Sequence, residues 1–530
     1  MPDQTPEQGP WSWDLPSTPS RALAEPDSPR SFGRAAALTV AGTVLPGLGL
    51  VAARRRLVGG VVLGAFGVAL LTLGIWAALD WQGLLAQFVK PPVLYATSSI
   101  LVVLAIVWVG VVVASHLSLR GRTSRPQRVA GGVLVGVLAF AVAAPMAVAA
   151  RYSYDTAASV QGVFKSQDDS RSATRPTLGG KPAGGAPAGD PWADKPRLNV
   201  LLLGGDAGVG RTGNRTDTII LASIETRTGD TTLFSLPRNT GRMPFPKNSA
   251  LNLYYPNGFT NGNGDDPEFF LNAMYDNVPA AVPPDALGET DHLGADALKL
   301  SVGEALGLKV DYFVLIDLQG FATMINALGG IRLNVNSYIP IGGNTDLGIP
   351  PKDFLEPGPD RHLDGNGALW YARGRFGSDD FARMDRQRCV IDAIIKQANP
   401  ANMLARYEDV AKAGQQIVRT DMPQEVLPLM VDLSLRVKDG SVRSIVFRHG
   451  EAGFRSPNPD FDRMRQRVAV AIGEAGRPVS RKPSAPKTTK KPSPSGSATS
   501  ARPRATESED VADSCAYNPA MAATATPYRG

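Results

Sequence analysis

The chain has 530 residues, with 55 lysine and arginine residues against 49 aspartate and glutamate residues, which gives a formal net charge of +6. This length leaves room for a membrane region and one large soluble domain, and the small net charge does not by itself indicate a nucleic-acid-binding protein. Four histidines and two cysteines without a C-x-x-C pair argue against a zinc site or a Cys/His nucleophile pair.

The N-terminal part of the sequence predicts a membrane region over residues 35–150, preceded by a disordered segment, residues 1–34, that is rich in proline, serine and charge. Three long apolar runs, each near the ~20 residues needed to cross a bilayer, lie at about 58–79, 93–115 and 129–150. A shorter run at 35–52 contains Pro46 and Gly47, which favours a re-entrant or interfacial hairpin over a fourth crossing.

The arginines between these runs predict how the chain is oriented in the lipid bilayer. Arginines precede the first long run at Arg54, Arg55 and Arg56, and the last run at Arg120, Arg122, Arg125 and Arg128. Basic loops stay cytoplasmic, whereas the loop at 80–92 holds only Asp80 and Lys90 as charged residues. We therefore expect a multi-pass protein of the cell membrane whose C-terminal domain is extracytoplasmic.

Beyond the membrane region, composition predicts a flexible linker at 151–195, a soluble domain at 196–475 and a basic low-complexity tail at 476–530. Within the domain, strands are expected in NVLLL, TIILASI, TLFSL, DYFVLID and IRLNV, and helices at 294–306 and in GFATMINAL. This alternation predicts an α/β fold, an αβα sandwich on a central mixed sheet. Residues 256–290, dense in Asn, Gly, Asp and Pro, are expected to form a long loop over one face.

The segment from Tyr371 to Arg388 is the most informative part of the chain. Its five arginines are Arg373, Arg375, Arg383, Arg386 and Arg388, opposed by Asp379, Asp380 and Asp385. Clustered guanidinium groups suit phosphate oxygens, although a solvated basic helix face is an equal alternative for the cluster alone. Asp379 is expected to begin a helix on which Arg383 and Gln387 lie one turn apart on the same side.

Short carboxylates and further arginines lie at the edges of the apolar runs. Asp206 and Asp217 fall at neighbouring strand ends and would suit Mg²⁺, which takes few carboxylates plus phosphate oxygens. Each aspartate alone is more often a cap or turn residue. Together with the arginines, however, they predict a site for a di-anionic group such as pyrophosphate. The arginines expected around that group are Arg215, Arg238, Arg373 and Arg375.

Six ordered segments in this part of the chain resemble motifs of the LytR-CpsA-Psr family of bacterial cell-envelope assembly proteins. The matching segments are LLLGGD (201–206), RTDT (215–218), SLPRN (235–239), DYFVLIDLQGFATMINALGGIRLNV (311–335), HLDGNGALWYARGR (362–375) and DFARMDRQR (380–388). The resemblance runs from about Leu198 to Lys396, under half of the chain.

The resemblance implies a function, because members of this family transfer an envelope glycopolymer from a polyprenyl-pyrophosphate carrier to peptidoglycan and release polyprenyl phosphate. It implies that Asp206 and Asp217 bind Mg²⁺ or Mn²⁺. The pyrophosphate-binding residues that it implies are Arg215, Arg238, Arg373, Arg375, Arg383 and Gln387, of which Arg238, Arg373 and Arg375, with Asp217, are the catalytic candidates. Apolar runs around Phe313–Leu318, Phe321–Leu328 and Val390–Ile395 could line a slot for the polyprenyl tail, with ordinary core as the alternative.

One residue departs from the family pattern. The family usually has aspartate after the arginine of the third motif, whereas this chain has Asn239, which keeps hydrogen-bonding capacity and loses the charge. Two alternatives to the transferase therefore stay open: a polyprenyl-pyrophosphate-binding or pyrophosphatase-like relative without productive transfer, and an envelope-linked regulatory protein acting on nucleic acid. The expected orientation argues against nucleic acid as a partner, because the arginine cluster would lie outside the cytoplasm.

The two cysteines, Cys389 and Cys515, form a candidate disulfide. Both are expected outside the cytoplasm, where oxidation is permitted. A bond would hold the otherwise loose tail beside the arginine-rich helix. A buried, inert Cys389 with a free Cys515 is the equal alternative.

Overall fold

The computed structural model describes residues 32–121, 124–176, 192, 195–205, 215–345, 347–397, 418–474 and 508–528. They divide into two compact units. The first contains the described residues up to Leu71 together with Leu104–Pro145, and the second contains Thr72–Val103 together with the described residues from Met146 onward.

The N-terminal part is helical. Its helices are α1 (Phe32–Val44), α2 (Leu48–Ala52), α3 (Arg56–Leu79), α4 (Trp81–Gln87), α5 (Pro91–Leu119) and α6 (Arg125–Val163). Within the described residues, α3, α5 and α6 are long and apolar enough to cross a membrane. These three helices contain the three apolar runs that the sequence analysis identified.

The fourth apolar run, at 35–52, is broken between α1 and α2. Gly47 there has φ +96°, and a Cβ atom at this position would lie 2.4 Å from the carbonyl oxygen of Gly59, so only glycine fits. The 13 residues of α1 reach about 20 Å at ~1.5 Å per residue, which is short of the ~30 Å hydrocarbon core. The re-entrant or interfacial hairpin stays a prediction.

The soluble part contains a mixed sheet. The strands are β1 (Arg197–Gly205), β2 (Thr216–Glu225), β3 (Thr231–Leu236), β4 (Tyr312–Asp317), β5 (Ile331–Val335), β6 (Ile339–Ile341), β7 (Asp353–Leu355), β8 (Gly358–Leu363), β9 (Val418–Thr420), β10 (Val442–Val446) and β11 (Glu509–Asp510). Within the described residues, seven of them form one sheet in the order β11-β10-β3-β2-β1-β4-β9. β1 pairs with β4 and β3 with β10 in parallel, and the remaining pairs in this sheet are antiparallel.

Helices cover both faces of this sheet. They are α7 (Leu251–Tyr254), α8 (Met274–Ala281), α9 (Leu293–Leu306), α10 (Leu318–Leu328), α11 (Gly365–Arg373), α12 (Asp380–Gln397), α13 (Leu427–Asp439), α14 (Phe461–Glu474), α15 (Val511–Ser514) and α16 (Pro519–Thr524). Side chains alternate along a strand. Leu201 accordingly packs in the core with Leu298 of α9 on one face, and Leu202 packs towards Ile391 of α12 on the other. The predicted αβα sandwich is confirmed.

The linker predicted at 151–195 is wrong over its first part. Helix α6 continues beyond the apolar run, and residues 164–176 hydrogen-bond to the soluble domain. The hydroxyl oxygen of Ser172 lies 3.1 Å from carboxylate oxygens of both Asp296 and Asp421, which are buried. Buried carboxylates need such partners, and this requirement fixes the segment on the domain.

Two other boundaries also differ from the prediction. The loop expected at 256–290 contains the helix α8, and the last part of the predicted tail forms β11, α15 and α16. β11 completes the edge of the main sheet by pairing with β10. The other low-complexity segments, 1–31, 177–191 and 475–507, lie outside the described residues.

A disulfide joins Cys389 of α12 to Cys515, with their Cα atoms 5.6 Å apart. We expect non-reducing peptide mapping of envelope protein to recover the two cysteine-containing peptides as one linked species. Cys515→Ser should lower the free energy of unfolding by about 2–4 kcal/mol, because the bond closes a long loop. Ser514→Ala, next to it in the chain, is the matched control. Two alkylatable thiols in the native, unreduced protein would contradict the bond.

Candidate functional site

The strand directions bring the candidate site residues to one edge of the main sheet. β1, β3 and β4 run parallel to one another, so their carboxyl ends meet where the antiparallel β2 begins. Asp217 lies at the start of β2, and Arg238 follows the end of β3. Crevices outside the carboxyl ends of strands are common ligand sites in α/β folds. Asp206, which follows β1 in the sequence, lies outside the described residues.

An ion-pair network connects this edge to the start of α12. Arg238 Nη1 donates to Asp217 Oδ1 at 2.8 Å, and Arg238 Nε lies 3.7 Å from Asp380 Oδ1. Arg383 Nη2 donates to Asp380 Oδ2 at 3.0 Å and to the carbonyl oxygen of Asp217 at 3.2 Å. Asp379 accepts from the N–H of Ala382 and caps the helix, as expected. The network therefore holds two guanidinium groups beside two carboxylates.

The charged groups of this network shift one another's pKa values. Burial alone would raise the pKa of Asp217, but Arg238, Arg383 and Arg375 outweigh it and hold this pKa below its usual value. The carboxylate is therefore ionised at neutral pH. Burial, together with repulsion from Arg238 and Arg375, lowers the pKa of Arg383, and Asp380 opposes that shift. An anion between these guanidinium groups would relieve their mutual repulsion.

Helix α12 is fixed to its neighbours by Gln387. The Gln387 amide nitrogen donates to Thr218 Oγ1 at 2.8 Å and to the carbonyl oxygen of Ala372 at 3.3 Å. Arg373 lies over the ring of Trp370, 5.2 Å from its centroid. Gln387 thus joins α12 to β2 and to the last turn of α11, which ends at Arg373.

Residues of this site line two cavities. A polar cavity of about 280 Å³ is lined by Arg238, Asn239, Thr345, Arg375, Ser378 and Asp380. An apolar cavity of about 260 Å³ lies between the sheet and α10, α11 and α12, and Thr218, Arg373 and Gln387 supply polar groups in its wall. Its apolar lining includes Val314, Ile316, Phe321, Met324, Val390, Ile391, Ile394 and Ile395. These residues come from all three runs proposed for a polyprenyl slot.

The structure brings together most of the predicted site residues, but not all of them. Arg215 has an exposed side chain that pairs with Glu268, so its predicted place around the pyrophosphate is not supported by any contact in the described residues. Two arginines of the cluster serve the fold instead. Arg386 donates to the carbonyl oxygen of Tyr371 at 2.7 Å, and Arg388 pairs with Asp385 at 2.6 Å.

Sequence reasoning did not assign a role to Asp380 or Thr218. Asp380 is the carboxylate that both Arg238 and Arg383 approach, and Thr218 accepts the hydrogen bond from Gln387. A signal for Asp380 was present, since it lies three residues before Arg383 on one helix face. The sequence contained no comparable signal for Thr218.

Together these features place an arginine-lined polar cavity beside an apolar one. The model of the LytR_cpsA_psr family matches residues 152–449, more than half of the chain. The chain belongs to the LytR-CpsA-Psr family.

Several curated relatives of the chain are named as teichoic acid transferases. It is 27% identical over 235 residues to the polyisoprenyl-teichoic acid–peptidoglycan teichoic acid transferase TagU of Enterococcus faecalis, a match that covers 43% of this chain and 63% of that protein, less than two thirds. A crystal structure of protein gbs0355 from Streptococcus agalactiae is 23% identical, with a TM-score of 0.38, covering 52% of this chain and 89% of that one. The family protein YwtF (TagT), solved with bound octaprenyl pyrophosphate lipid, is 20% identical, with a TM-score of 0.33, covering 53% and 91%.

Proposed function

We propose that this protein is a membrane-anchored phosphotransferase that moves a glycopolymer from a polyprenyl-pyrophosphate carrier onto peptidoglycan. The observation that carries the proposal is the position of Arg373 and Gln387 in the wall of the apolar cavity. Arg373 lies two residues before Arg375, which lines the polar cavity, and Gln387 lies four residues after Arg383, which pairs with Asp380 of that cavity. One molecule with an apolar tail and a pyrophosphate head would occupy both cavities. The names of curated relatives supply the reaction class.

In the proposed reaction, a peptidoglycan hydroxyl attacks the phosphorus atom that carries the glycopolymer. A new P–O bond forms to that hydroxyl oxygen, and the bond from this phosphorus to the bridging pyrophosphate oxygen breaks. The bridging oxygen leaves with the electron pair as part of polyprenyl phosphate, and the hydroxyl proton passes to solvent. The products are polyprenyl phosphate and a phosphodiester between glycopolymer and peptidoglycan.

The protein's task in this reaction is positioning and charge neutralisation, since phosphoryl transfer needs little covalent help. Arg238 and Arg375 line the polar cavity and would hold the phosphate oxygens. Asp217 and Asp380 hold the forks of Arg238 and Arg383 in place. Fixed guanidinium groups need little reorganisation when charge develops on the phosphate oxygens.

A divalent cation, Mg²⁺ or Mn²⁺, is part of the proposal. Within the described ranges no three His, Cys, Asp or Glu side chains cluster as a metal site. Mg²⁺, however, commonly takes one or two carboxylates plus substrate phosphate oxygens, and the ionised Asp217 at the polar site fits that mode. Asp217 would hold the ion together with Asp206, and the bound ion would neutralise charge on the pyrophosphate.

The proposed location is the cell membrane, with several crossings and an extracytoplasmic C-terminal domain. Three apolar helices and the arginine-rich segments before α3 and α6 support it. A reporter fused to the C-terminus should be active only outside the cytoplasm. Activity inside would instead favour the regulatory alternative.

The direct test uses the full chain in detergent with a polyprenyl-pyrophosphate-linked glycan, Mg²⁺ and peptidoglycan. Polyprenyl phosphate should be released in step with glycan attached to peptidoglycan, and both should require the acceptor. Release of polyprenyl phosphate without glycan attachment would favour the pyrophosphatase-like alternative. Tight lipid binding with no release would favour a binding protein.

Asn239 is the reason for considering a lipid-binding or pyrophosphatase-like relative without productive transfer. It is an exposed residue that lines the polar cavity with an amide, where the family usually has a carboxylate. We expect Asn239→Asp to raise the transfer rate if the acid takes part in catalysis, and to change little if it only orients Arg238. Asn344→Asp, in the loop next to Thr345, is the control for added charge. A stable Asn239→Asp protein with much lower activity would show that this site is tuned to the amide.

A further inference from the structure

The described residues of the first compact unit include arginines but no acidic residue. No Asp or Glu occurs between residues 32 and 71 or between 104 and 145, whereas this part of the chain carries several arginines. The carboxylates that pair with arginines elsewhere in the described chain are therefore absent from the described residues of this unit. These described residues hold no carboxylate that could balance their positive charge.

Two of these arginines line one cavity. Arg120 and Arg128, at the end of α5 and the start of α6, border a cavity of about 140 Å³ together with His116 and Gln127. That volume is several times the volume of a water molecule. The described residues of this unit include no carboxylate that could pair with either arginine. The cavity therefore concentrates positive charge in a space large enough for a small anion.

The polar groups of this cavity are held in place. The Thr39 hydroxyl donates to the carbonyl oxygen of Ala35 at 2.8 Å, and it lies 3.2 Å from Nδ1 of the buried His116. Gln127 Oε1 accepts from the N–H of Ser124 at 3.1 Å, which leaves the amide nitrogen as the donor that this side chain can offer. Orientation of the protein in a membrane requires only basic residues on one side. It requires neither a cavity nor an imidazole fixed in its wall.

Apolar surface flanks the same cavity. Leu117 is 50% exposed and Val113 36%, and both line the cavity on α5, while Val129 and Val133 of α6 are each 62% exposed. A ligand here would meet arginines at its head and apolar side chains beside it. We infer that this cavity binds a phosphate group, and that the phosphate belongs to the headgroup of an anionic phospholipid. Basic pockets between membrane helices on the cytoplasmic side recognise such headgroups.

The test measures lipid retention by the full chain in detergent, using native mass spectrometry with phosphatidylglycerol, with phosphatidylcholine as the uncharged-headgroup comparison. Arg120→Gln with Arg128→Gln should weaken phosphatidylglycerol retention by about tenfold or more. Arg55→Gln with Arg56→Gln removes the same charge from the residue before α3 and from the first residue of α3, and should leave retention unchanged. Equal losses in the two double variants would overturn the inference.

A second pair of variants keeps the charge and changes only the space. Gly132 lines the cavity and Gly136 does not, and a Cβ atom at either position meets no atom within 4 Å. Gly132→Leu should reduce phosphatidylglycerol retention, while Gly136→Leu should not. Inorganic phosphate at millimolar concentration should compete only weakly. Full displacement of lipid by inorganic phosphate would assign the site to the free ion and overturn the phospholipid assignment, and unchanged retention in Gly132→Leu would overturn the cavity itself.

Discussion

Replacing Arg238 with alanine should abolish glycopolymer transfer while the soluble domain stays folded. Arg238 bridges Asp217 and Asp380 and lines the polar cavity, so its loss leaves two carboxylates where the pyrophosphate is proposed to bind. Arginines that stabilise transferring phosphoryl groups contribute about a thousandfold or more to turnover. Initial rates with the full chain, together with thermal unfolding of each variant, measure the effect. Arg373→Ala should show a similar loss.

Two controls separate charge from geometry in that experiment. Arg238→Lys keeps the positive charge but loses the planar fork, so partial activity is expected. Arg332→Ala removes an exposed arginine whose partner is Asp360, outside the site, and should leave turnover near that of the wild type. Near wild-type turnover in Arg238→Ala or Arg373→Ala would reject the pyrophosphate assignment.

The layered fold could be predicted because its elements have strong local patterns. Leu201 and Leu202 belong to a continuous apolar run that suits a strand buried on both faces, and the structure packs them against different helices. Asp379 and Gly307 mark helix ends that follow from capping chemistry, and both act in that way in the structure. Such signals lie within a few residues of the feature that they specify.

What could not be predicted depends on contacts between distant parts of the chain. Helix α4, in the loop between two apolar helices, packs against α13 of the soluble domain, more than 300 residues later in the sequence. Ser172 belongs to a segment whose composition indicated a linker, and only the buried Asp296 and Asp421 explain why it is held. The pairing of Arg215 with Glu268 likewise depends on a loop that gave no helical or strand pattern.

The candidate site also has one part that the sequence predicted and one part that it did not. The arginine-rich segment predicted an anion site, because clustered guanidinium groups suit phosphate oxygens, and a solvated basic helix face was the equal alternative for the cluster alone. It did not distinguish Arg383, which faces the site, from Arg386 and Arg388, which support the fold. That distinction follows from helix phase and from the carbonyl groups that surround α12, neither of which residue spacing alone determines.

Neutralising Asp217 should also slow transfer severely, for two physical reasons. Asp217→Asn keeps the shape of the side chain but removes the charge that holds Arg238 at 2.8 Å and that would bind the divalent ion. A loss of several kcal/mol of charge stabilisation corresponds to about a hundredfold or more in rate. Chelation of the divalent ion should likewise stop transfer in the wild-type protein.

The two roles of Asp217 can be separated by titrating Mg²⁺. If Asp217 is a metal ligand, the Asp217→Asn protein should need more Mg²⁺ and recover part of its rate at high concentration; if it only orients Arg238, added Mg²⁺ should not help. Asp360→Asn, in an exposed ion pair, is the matched control. Full activity in excess chelator would contradict the metal role.

The lowered pKa of Asp217 sets the pH below which its charge is lost. The charged form persists above the usual carboxyl pKa of about 3.9 and is lost only as pH falls through the lower folded-state value. Protonation of Asp217 should therefore not slow transfer between pH 7 and 5.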